Sequence, residues 1–299
     1  MDITKLRALM TAADCGSLSA AAEKLGYTQS ALTHMMRSLE DEAGVPLLRR
    51  GNRGVSLTSE GERLSPLIRA LLRCDERLGQ ELALTRGVER GRLSIGTYSS
   101  ISVHWLPQVL ELFQHRYPGI EVELLEGSGE ELTSWLSQGR VEITFGSLAA
   151  DSPFHTIKIL DDPMLAVLPP SHPRAGDAVF PVECFRGEQF LAYTTSAGPD
   201  DDLRRAMELA GVPPTVKFIS NFDQTIVAMV EHNLGVTILP ALIMEGLQAR
   251  VAVMPLSPPI SRTLGISLRP REEPSPALRR FVDCALTLLR PGFDMDGSR

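Results

Sequence analysis

The sequence predicts an α+β multidomain chain: a small helical unit ending in a basic hairpin, one long helix, and a larger α/β part. Three observations predict it. Two short amphipathic helices lie on either side of Gly26, and a turn rich in glycine and arginine follows at Arg50–Gly54. Leu64, Leu67, Leu71, Cys74 and Leu78 then recur at alternating steps of three and four, a seam about two heptads long. Past the glycine-flanked stretch Gly87–Gly91, strand-like runs alternate with helical ones.

In order along the chain, Leu6, Leu9 and Met10 recur at helical spacing and mark the first helix. An alanine-rich helix from Ser19 to Leu25 follows, with Ser17 and Ser19 as candidate N-caps and Gly26 as the left-handed residue that ends it. A third helix runs from about Thr28 or Gln29 to Glu42 and closes at Gly44. Leu32, Met36 and Leu39 make its apolar face, while Gln29, Ser30, Thr33, His34 and Arg37 share the opposite side. Leu47-Leu48 and Val55–Leu57 are strand-like runs around Arg50-Gly51-Asn52-Arg53-Gly54, so the unit has the layout of a winged helix-turn-helix. Ser59 and Glu62 fit a capping box for the long helix, which runs to about Leu84 and tolerates Pro66 because that residue lies in its first turns. Its narrow seam suits a second copy of the chain; an amphipathic helix packed on its own domain is the other reading.

In the larger part the expected strands are Leu93–Thr97, Glu121–Leu125, Glu142–Gly146, Thr156–Leu160, Met164–Leu168, Gln189–Tyr193, Val216–Ser220, Gly235–Leu239 and Leu264–Leu268. The expected helices are Trp105–Arg116, Glu130–Gln138, Asp201–Ala210, Asp223–His232 and Ala277–Leu289. Such alternation predicts mostly parallel strands.

Composition bounds the function. The 299 residues are 43% hydrophobic, ordinary for a folded chain and enough for two or three domains. The start, MDITKLRALM, lacks the apolar run of a signal peptide, and the longest apolar run, Leu234–Met244, is too short to span a bilayer. A cytoplasmic protein without membrane contact is expected. Residues 1–90 hold 13 Lys+Arg against 12 Asp+Glu, and the rest 17 against 25, so the acidic balance of the chain belongs to the larger part. The four cysteines form no CxxC pair, which indicates neither zinc nor a dithiol motif. None of the six histidines forms an HxH or HExxH pattern, and no GxSxG or phosphate-loop motif exists, so no catalytic residue, metal or cofactor is expected. Asp200, Asp201 and Asp202 fit the positive end of a helix dipole.

The chemistry of the third helix points to double-stranded DNA. Glutamine pairs with adenine and arginine with guanine through two hydrogen bonds in the major groove, and residues near a recognition helix's N-terminus reach the base edges. This assigns Thr28, Gln29, Ser30, Thr33 and His34 to bases or nearby phosphate and Arg37 to phosphate, with Arg50 and Arg53 reaching backbone or minor groove from the turn.

With those residues in view, "SLSAAAEKLGYTQSALTHMMRSLE" and "GVPLLRRGNRGVSLTSEG" resemble the N-terminal domain of LysR-type transcriptional regulators. "GRLSIGTYSS", "FQHRYPGIEVELLEGSGEELTSWLSQGRVEITFG" and "MVEHNLGVTILP" extend the resemblance over essentially the whole chain. It implies a winged helix-turn-helix over 1–58, a linker and dimerisation helix over 59–88, and an effector-binding domain over 89–299. That domain would be like a periplasmic binding protein, with subdomain I at about 91–161 plus 269–299 and subdomain II at about 162–268. It also implies a homodimer or homotetramer. The chain departs from the family pattern in several places. His34 and Ser38 stand where Arg or Lys is frequent, Met35 replaces a polar residue, Leu48 stands where Phe is usual, and Glu142 stands where an Asp-containing strand is typical.

In open α/β sheets ligands sit beyond the carboxyl ends of strands. Thr97, Ser99, Ser100, Ser102, Ser128, Gly146, Thr195 and Asn221 occupy such positions, and together they predict an effector cleft. Taken singly, each is equally a cap or turn former. The set contains no Lys or Arg, which predicts a small monoanionic or zwitterionic organic effector, its remainder covered by Ile101, Trp105 and Phe222. The expected function is effector-modulated DNA binding or bending; the alternative is an enzyme or solute-binding protein on the same fold. Redox-sensing members of the family use a cysteine pair in the effector domain, and Cys184 and Cys284, 100 positions apart, are not an obvious pair.

Overall fold

A computed structural model describes residues 2–51, 54–85, 90–193, 207–208, 211–212, 215–220, 222–270 and 273–290. The N-terminal unit consists of α1 (Ile3–Cys15), α2 (Leu18–Leu25), α3 (Gln29–Ala43) and the antiparallel hairpin β1 (Leu48–Gly51) and β2 (Gly54–Leu57). Side chains of Asp2, Ser17 and Thr28 cap the three helices, so Ser17 and not Ser19 starts α2. Gly16, Gly26 and Gly44 end them in the left-handed region. Leu6, Leu9, Leu18, Leu32, Met36, Leu39 and Leu47 close around one core. The hairpin is pinned to it: the Val55 amide donates to the Gly16 carbonyl at 2.8 Å, and a Cβ at Gly54 would lie 2.4 Å from that oxygen.

Helix α4 (Ser59–Thr85) follows. Its start differs from the expected Ser59–Glu62 box. Thr58 is the cap, its hydroxyl accepting from the Gly61 amide at 3.0 Å and donating to the Pro46 carbonyl at 2.8 Å. One residue thereby ties the end of the hairpin to the helix, while the Ser59 hydroxyl turns to Glu60.

The larger part runs β3 (Gly91–Thr97), α5 (Ser99–His104), α6 (Leu106–Arg116), β4 (Ile120–Glu126), α7 (Gly129–Gln138), β5 (Ile143–Ser147), β6 (His155–Leu168), β7 (Phe180–Pro181) and β8 (Gln189–Tyr193). It continues with β9 (Thr215–Ser220), α8 (Asp223–Glu231), β10 (Thr237–Pro240), α9 (Ala241–Met244), β11 (Ala252–Ser257), β12 (Ser261–Leu268) and α10 (Pro276–Leu289). Strand order in the main sheet is β4-β3-β5-β12-β6-β11-β7, with β10 also on β6; β8 and β9 form a separate parallel pair.

The sheet is mixed, not mostly parallel. β3 runs parallel to β4 and β5, whereas β12 is antiparallel to both β5 and β6, and β10 and β11 are antiparallel to β6. The expected strands at 156–160 and 164–168 are one 14-residue strand, β6, which carries the chain from the first half into the second. Asp161 and Asp162 suggest a break in sequence but are satisfied across the ladder, Asp161 by Thr263 at 2.7 Å and Asp162 by Arg262 at 3.0 Å. β12 brings the chain back. Leu264 and Ile266 lie in the first half's core with Phe113, Phe145 and Phe281, so the return begins at β12 rather than after residue 268. The second half has its own cores, around Phe180, Phe185 and Phe190 and around Leu191, Ile226 and Val230. The helix expected at 201–210 lies outside the described residues except for 207–208. Among the described residues no helix is long and apolar enough to cross a membrane.

Candidate functional site

Helix α3 buries Leu32, Met36 and Leu39 and leaves Gln29, Ser30, His34 and Arg37 exposed with Thr33 half-buried beside them. These five line one open concavity on the surface. Thr28 is held at the helix start: its hydroxyl accepts from the Ala31 amide at 3.2 Å and lies 3.1 Å from that of Ser30. Lys5 donates to Ser38 at 2.8 Å and pairs with Glu42, so the side of α3 facing α1 is occupied while the Gln29–Arg37 side stays open. The Glu40 carboxylate accepts from the amides of Leu47 and Leu48 at 2.8 and 2.9 Å, which fixes the hairpin relative to the helix. Arg50 is exposed on β1, whereas Arg49 is tied to the Ser56 hydroxyl at 2.8 Å. Arg53 lies outside the described residues.

The seam of α4 divides. Leu64 packs with Ile68 and Leu72 against the N-terminal core, a contact within the chain. Leu67, Leu71, Cys74 and Leu78 are exposed, and Leu82 extends the row. Two adjoining strips of the helix are therefore apolar along part of its length, and only one is covered by its own chain.

The predicted cleft residues also divide. The Thr97 hydroxyl is fully buried and donates to the Tyr98 carbonyl at 3.2 Å. Ser128 caps α7 in a reciprocal capping box with Glu131. At Gly146 a Cβ would crowd Leu132 and the Tyr98 ring, so this glycine serves packing. Thr195 and Asn221 lie outside the described residues. Ser99, Ser100 and Ser102 share α5 and make contacts to residues distant in the sequence. Ser99 donates to Asp223 of the second half at 3.2 Å, Ser100 accepts from Arg262 at 3.3 Å, and Ser102 bonds Glu126. Arg262 lies over the Tyr98 ring at 5.7 Å and pairs with buried Asp162 at 2.9 Å. Asp162 in turn accepts from the Leu242 amide at 3.0 Å. Burial pushes the Asp223 carboxyl up from its ordinary range, opposed by the Ser99 hydrogen bond and the Arg262 charge.

This corrects two expectations. The site holds a guanidinium, Arg262, although the residues named from sequence include no cation. Ile101 and Trp105 are in the first core and cannot cover a ligand, while Phe222 is exposed beside Asp223. Asp162, Asp223, Arg262 and Tyr98 were not read from sequence. No local signal marked them: Asp162 sits beside Asp161 in what reads as a break between strands, and Arg262 precedes the expected strand at 264–268. Cys184 and Cys284 pack in the separate cores of the two halves, which explains why their spacing reads as no pair.

An exposed polar helix face beside a basic hairpin, joined through a linker helix to a two-part α/β domain with a polar site between its halves, defines a DNA-binding protein with a ligand-binding domain. Residues 3–62 match the family model for the bacterial regulatory helix-turn-helix protein of the lysR family, and residues 86–290 match that for the LysR substrate binding domain. The chain is 32% identical over 283 residues to the probable HTH-type transcriptional regulator LrrA of Synechococcus elongatus, covering 95% of this chain and 96% of that one. It is 28% identical over 288 residues to the HTH-type transcriptional regulator MetR of Escherichia coli K12, covering 95% and 90%. Among solved structures, a full-length OxyR variant from Pseudomonas aeruginosa superposes with a TM-score of 0.72 at 23% identity, covering 97% and 98%, and full-length CbnR complexed with its target DNA with 0.65 at 21%, covering 96% and 99%. The chain belongs to the LysR family of transcriptional regulators. It carries the two domains of that family, the helix-turn-helix and the substrate binding domain.

Proposed function

We propose that this regulator binds a small monoanionic or zwitterionic organic molecule between the two halves of its larger part, with the ligand's polar end at Ser99, Ser100 and Ser102. The observation that carries the reading is the meeting of α5 hydroxyls with Arg262 and Asp223 at the crossing between the halves. Arg262 and the hydroxyls suit a carboxylate, and Asp223 offers an acceptor to an ammonium group, which favours a zwitterion. Thr97, Ser128 and Gly146 shape the surrounding wall. A ligand there acts by its difference in affinity between two arrangements of the halves. Gln29, Ser30, Thr33 and His34 read bases, with Thr28, Arg37, Arg50 and Arg53 on phosphate or minor groove, and Leu67, Leu71, Cys74 and Leu78 pair with a second copy. The protein is cytoplasmic and has no enzymatic activity.

The test is a thermal-shift screen of small organic acids and amino-acid derivatives, because a ligand of the native state raises its stability by RT ln(1 + [L]/Kd). Hits are then titrated into the protein bound to a duplex selected from a random pool. A hit that changes duplex affinity supports the reading. A best ligand carrying several phosphates, or conversion of a hit into product, overturns it.

A further inference from the structure

The linker helix α4 is fixed to the units on both of its sides. Towards the N-terminal unit, Arg69 holds Asp14 of α1 through two hydrogen bonds, at 2.6 and 3.2 Å, and Arg7 of α1 pairs with Asp75 at 3.1 Å and with Glu76 at 2.6 Å. Towards the first half of the larger domain, Arg73 donates to the Gly139 carbonyl at the end of α7 at 3.3 Å. Gly139 has φ 71°, and a Cβ there would lie 1.6 Å from the Arg73 guanidinium, so a side chain would displace the arginine. Gln80, only 6% exposed, donates to the Arg92 carbonyl of β3 at 3.4 Å and accepts from the Ala277 amide of α10 at 3.2 Å. The N-terminal unit also meets that half directly, at two places. Arg140, just past α7, lies 5.0 Å over the Trp135 ring and 3.9 Å from the same Asp14 oxygen that Arg69 holds at 2.6 Å. Lys24 of α2 pairs with one Glu123 oxygen of β4 at 2.9 Å, and Arg92 holds the other at 2.7 Å. In this arrangement Gln29, Ser30, His34 and Arg37 stay exposed.

We propose that the N-terminal unit, α4 and the first half of the larger domain of one chain form a single docked body, seated at Asp14 and Lys24. A lone exposed ion pair contributes little. Here α4 already holds both partners close, so their pairing is intramolecular and loses little further translational freedom. Asp14 is shared by a linker guanidinium and an effector-domain guanidinium, and Glu123 by Lys24 and Arg92, so each point joins separate elements through one carboxylate. The seat leaves the α3 face open, so it positions the reading helix without covering it. The second half, which the chain enters along β6 and leaves along β12, is then the part left to move against this body.

The experiment treats the full chain, without effector, with a water-soluble carbodiimide. The reagent joins a lysine amine to a carboxylate in contact with it as an amide and takes up the lost water as a urea. Digestion and mass spectrometry should find a Lys24–Glu123 link, with the Lys5–Glu42 link within the N-terminal unit as the control that coupling occurred. Asp14→Asn and Arg140→Ala should each lower the yield of the Lys24–Glu123 link severalfold and leave the control link unchanged. A mixed dimer isolated through two tags, one copy carrying Lys24→Arg and the other Glu123→Gln, should give no Lys24–Glu123 link, because each chain then lacks one of the two groups. Solution X-ray scattering should show a larger maximum dimension for Lys24→Glu than for wild type. Treated wild type should bind the selected duplex as tightly as treated Lys24→Arg. Absence of the link in wild type beside a normal control link, a link formed between the two chains of the mixed dimer, or yields indifferent to both Asp14→Asn and Arg140→Ala overturns the proposal. Weaker duplex binding by treated wild type alone also overturns it, because the seat would then block reading rather than position it.

Discussion

Gln29 is the first residue of α3, exposed, with its backbone direction set by the Thr28 cap. Replacing it with Ala should erase preference at one base position at a cost of about 1–3 kcal/mol, read by competition between duplexes differing at single positions. Unchanged discrimination would remove it from the reading face. Arg50→Ala should weaken all duplexes evenly and reduce the slope of log affinity against log salt by roughly one counterion. At Gly54 the backbone has φ 101° and an added Cβ would meet the Gly16 carbonyl at 2.4 Å. Gly54→Ala should therefore destabilise the N-terminal unit by about 1–3 kcal/mol in a urea melt. Glu142 makes a pH-dependent contribution of definite sign. Its carboxyl is raised from 4.5 to about 7 in the folded chain, so the native state holds the proton more tightly than the unfolded chain does. Stability from this group is greatest below its unfolded value and is lost as pH rises from about 4.5 through about 7. Glu142→Gln should abolish that slope and be the more stable protein at pH 8, by about 1–3 kcal/mol.

At the scale of elements, α4 does two jobs with two faces. Leu64, Ile68 and Leu72 complete the N-terminal core, and Leu67, Leu71, Cys74 and Leu78 form a row left open on the adjoining side. The heptad spacing was legible in sequence, but the membership of Leu64 was not. A residue one turn from the helix start faces whatever the preceding hairpin brings near, and that is set by packing. Leu71→Asp should put an unpaired charge in the open row. Sedimentation should then show loss of dimer together with loss of DNA binding, and a wild-type chain that is monomeric at micromolar concentration would refute the seam.

Across the whole molecule, the two halves of the larger part meet through β6 and β12, and the buried pair Asp162–Arg262 sits at that crossing with both side chains under 8% exposed. Arg262→Met should cost about 3–5 kcal/mol, seen as a large drop in melting temperature, because Asp162 would keep its burial and lose its main cation. Ser99 bridges the halves through Asp223 without belonging to either core. Ser99→Ala and Ser100→Ala should each weaken effector binding by roughly 1 kcal/mol or more in calorimetry, with little change in the fold. Unchanged affinity in both would move the ligand elsewhere. The N-terminal unit also touches the larger domain: Lys24 of α2 pairs with Glu123 of β4 at 2.9 Å, beside Arg92 at 2.7 Å.

Local periodicity, caps and turn residues determined most of the elements by themselves. Leu32, Met36 and Leu39 set the buried face of α3, Thr28 and Gly44 set its limits, and the 3-4 spacing of the leucines set the seam, because each signal acts within a few residues. The family followed from the same local patterns. Strand direction and the joining of 156–160 with 164–168 into β6 were decided only by the tertiary structure, since pairing joins residues such as Leu264 and Leu160 that no local window contains. The candidate site shows the same division. Ser99, Ser100 and Ser102 were visible as hydroxyls after a strand, whereas Asp162, Asp223 and Arg262 acquire their roles only when the second half folds back and leaves buried charges that must find each other.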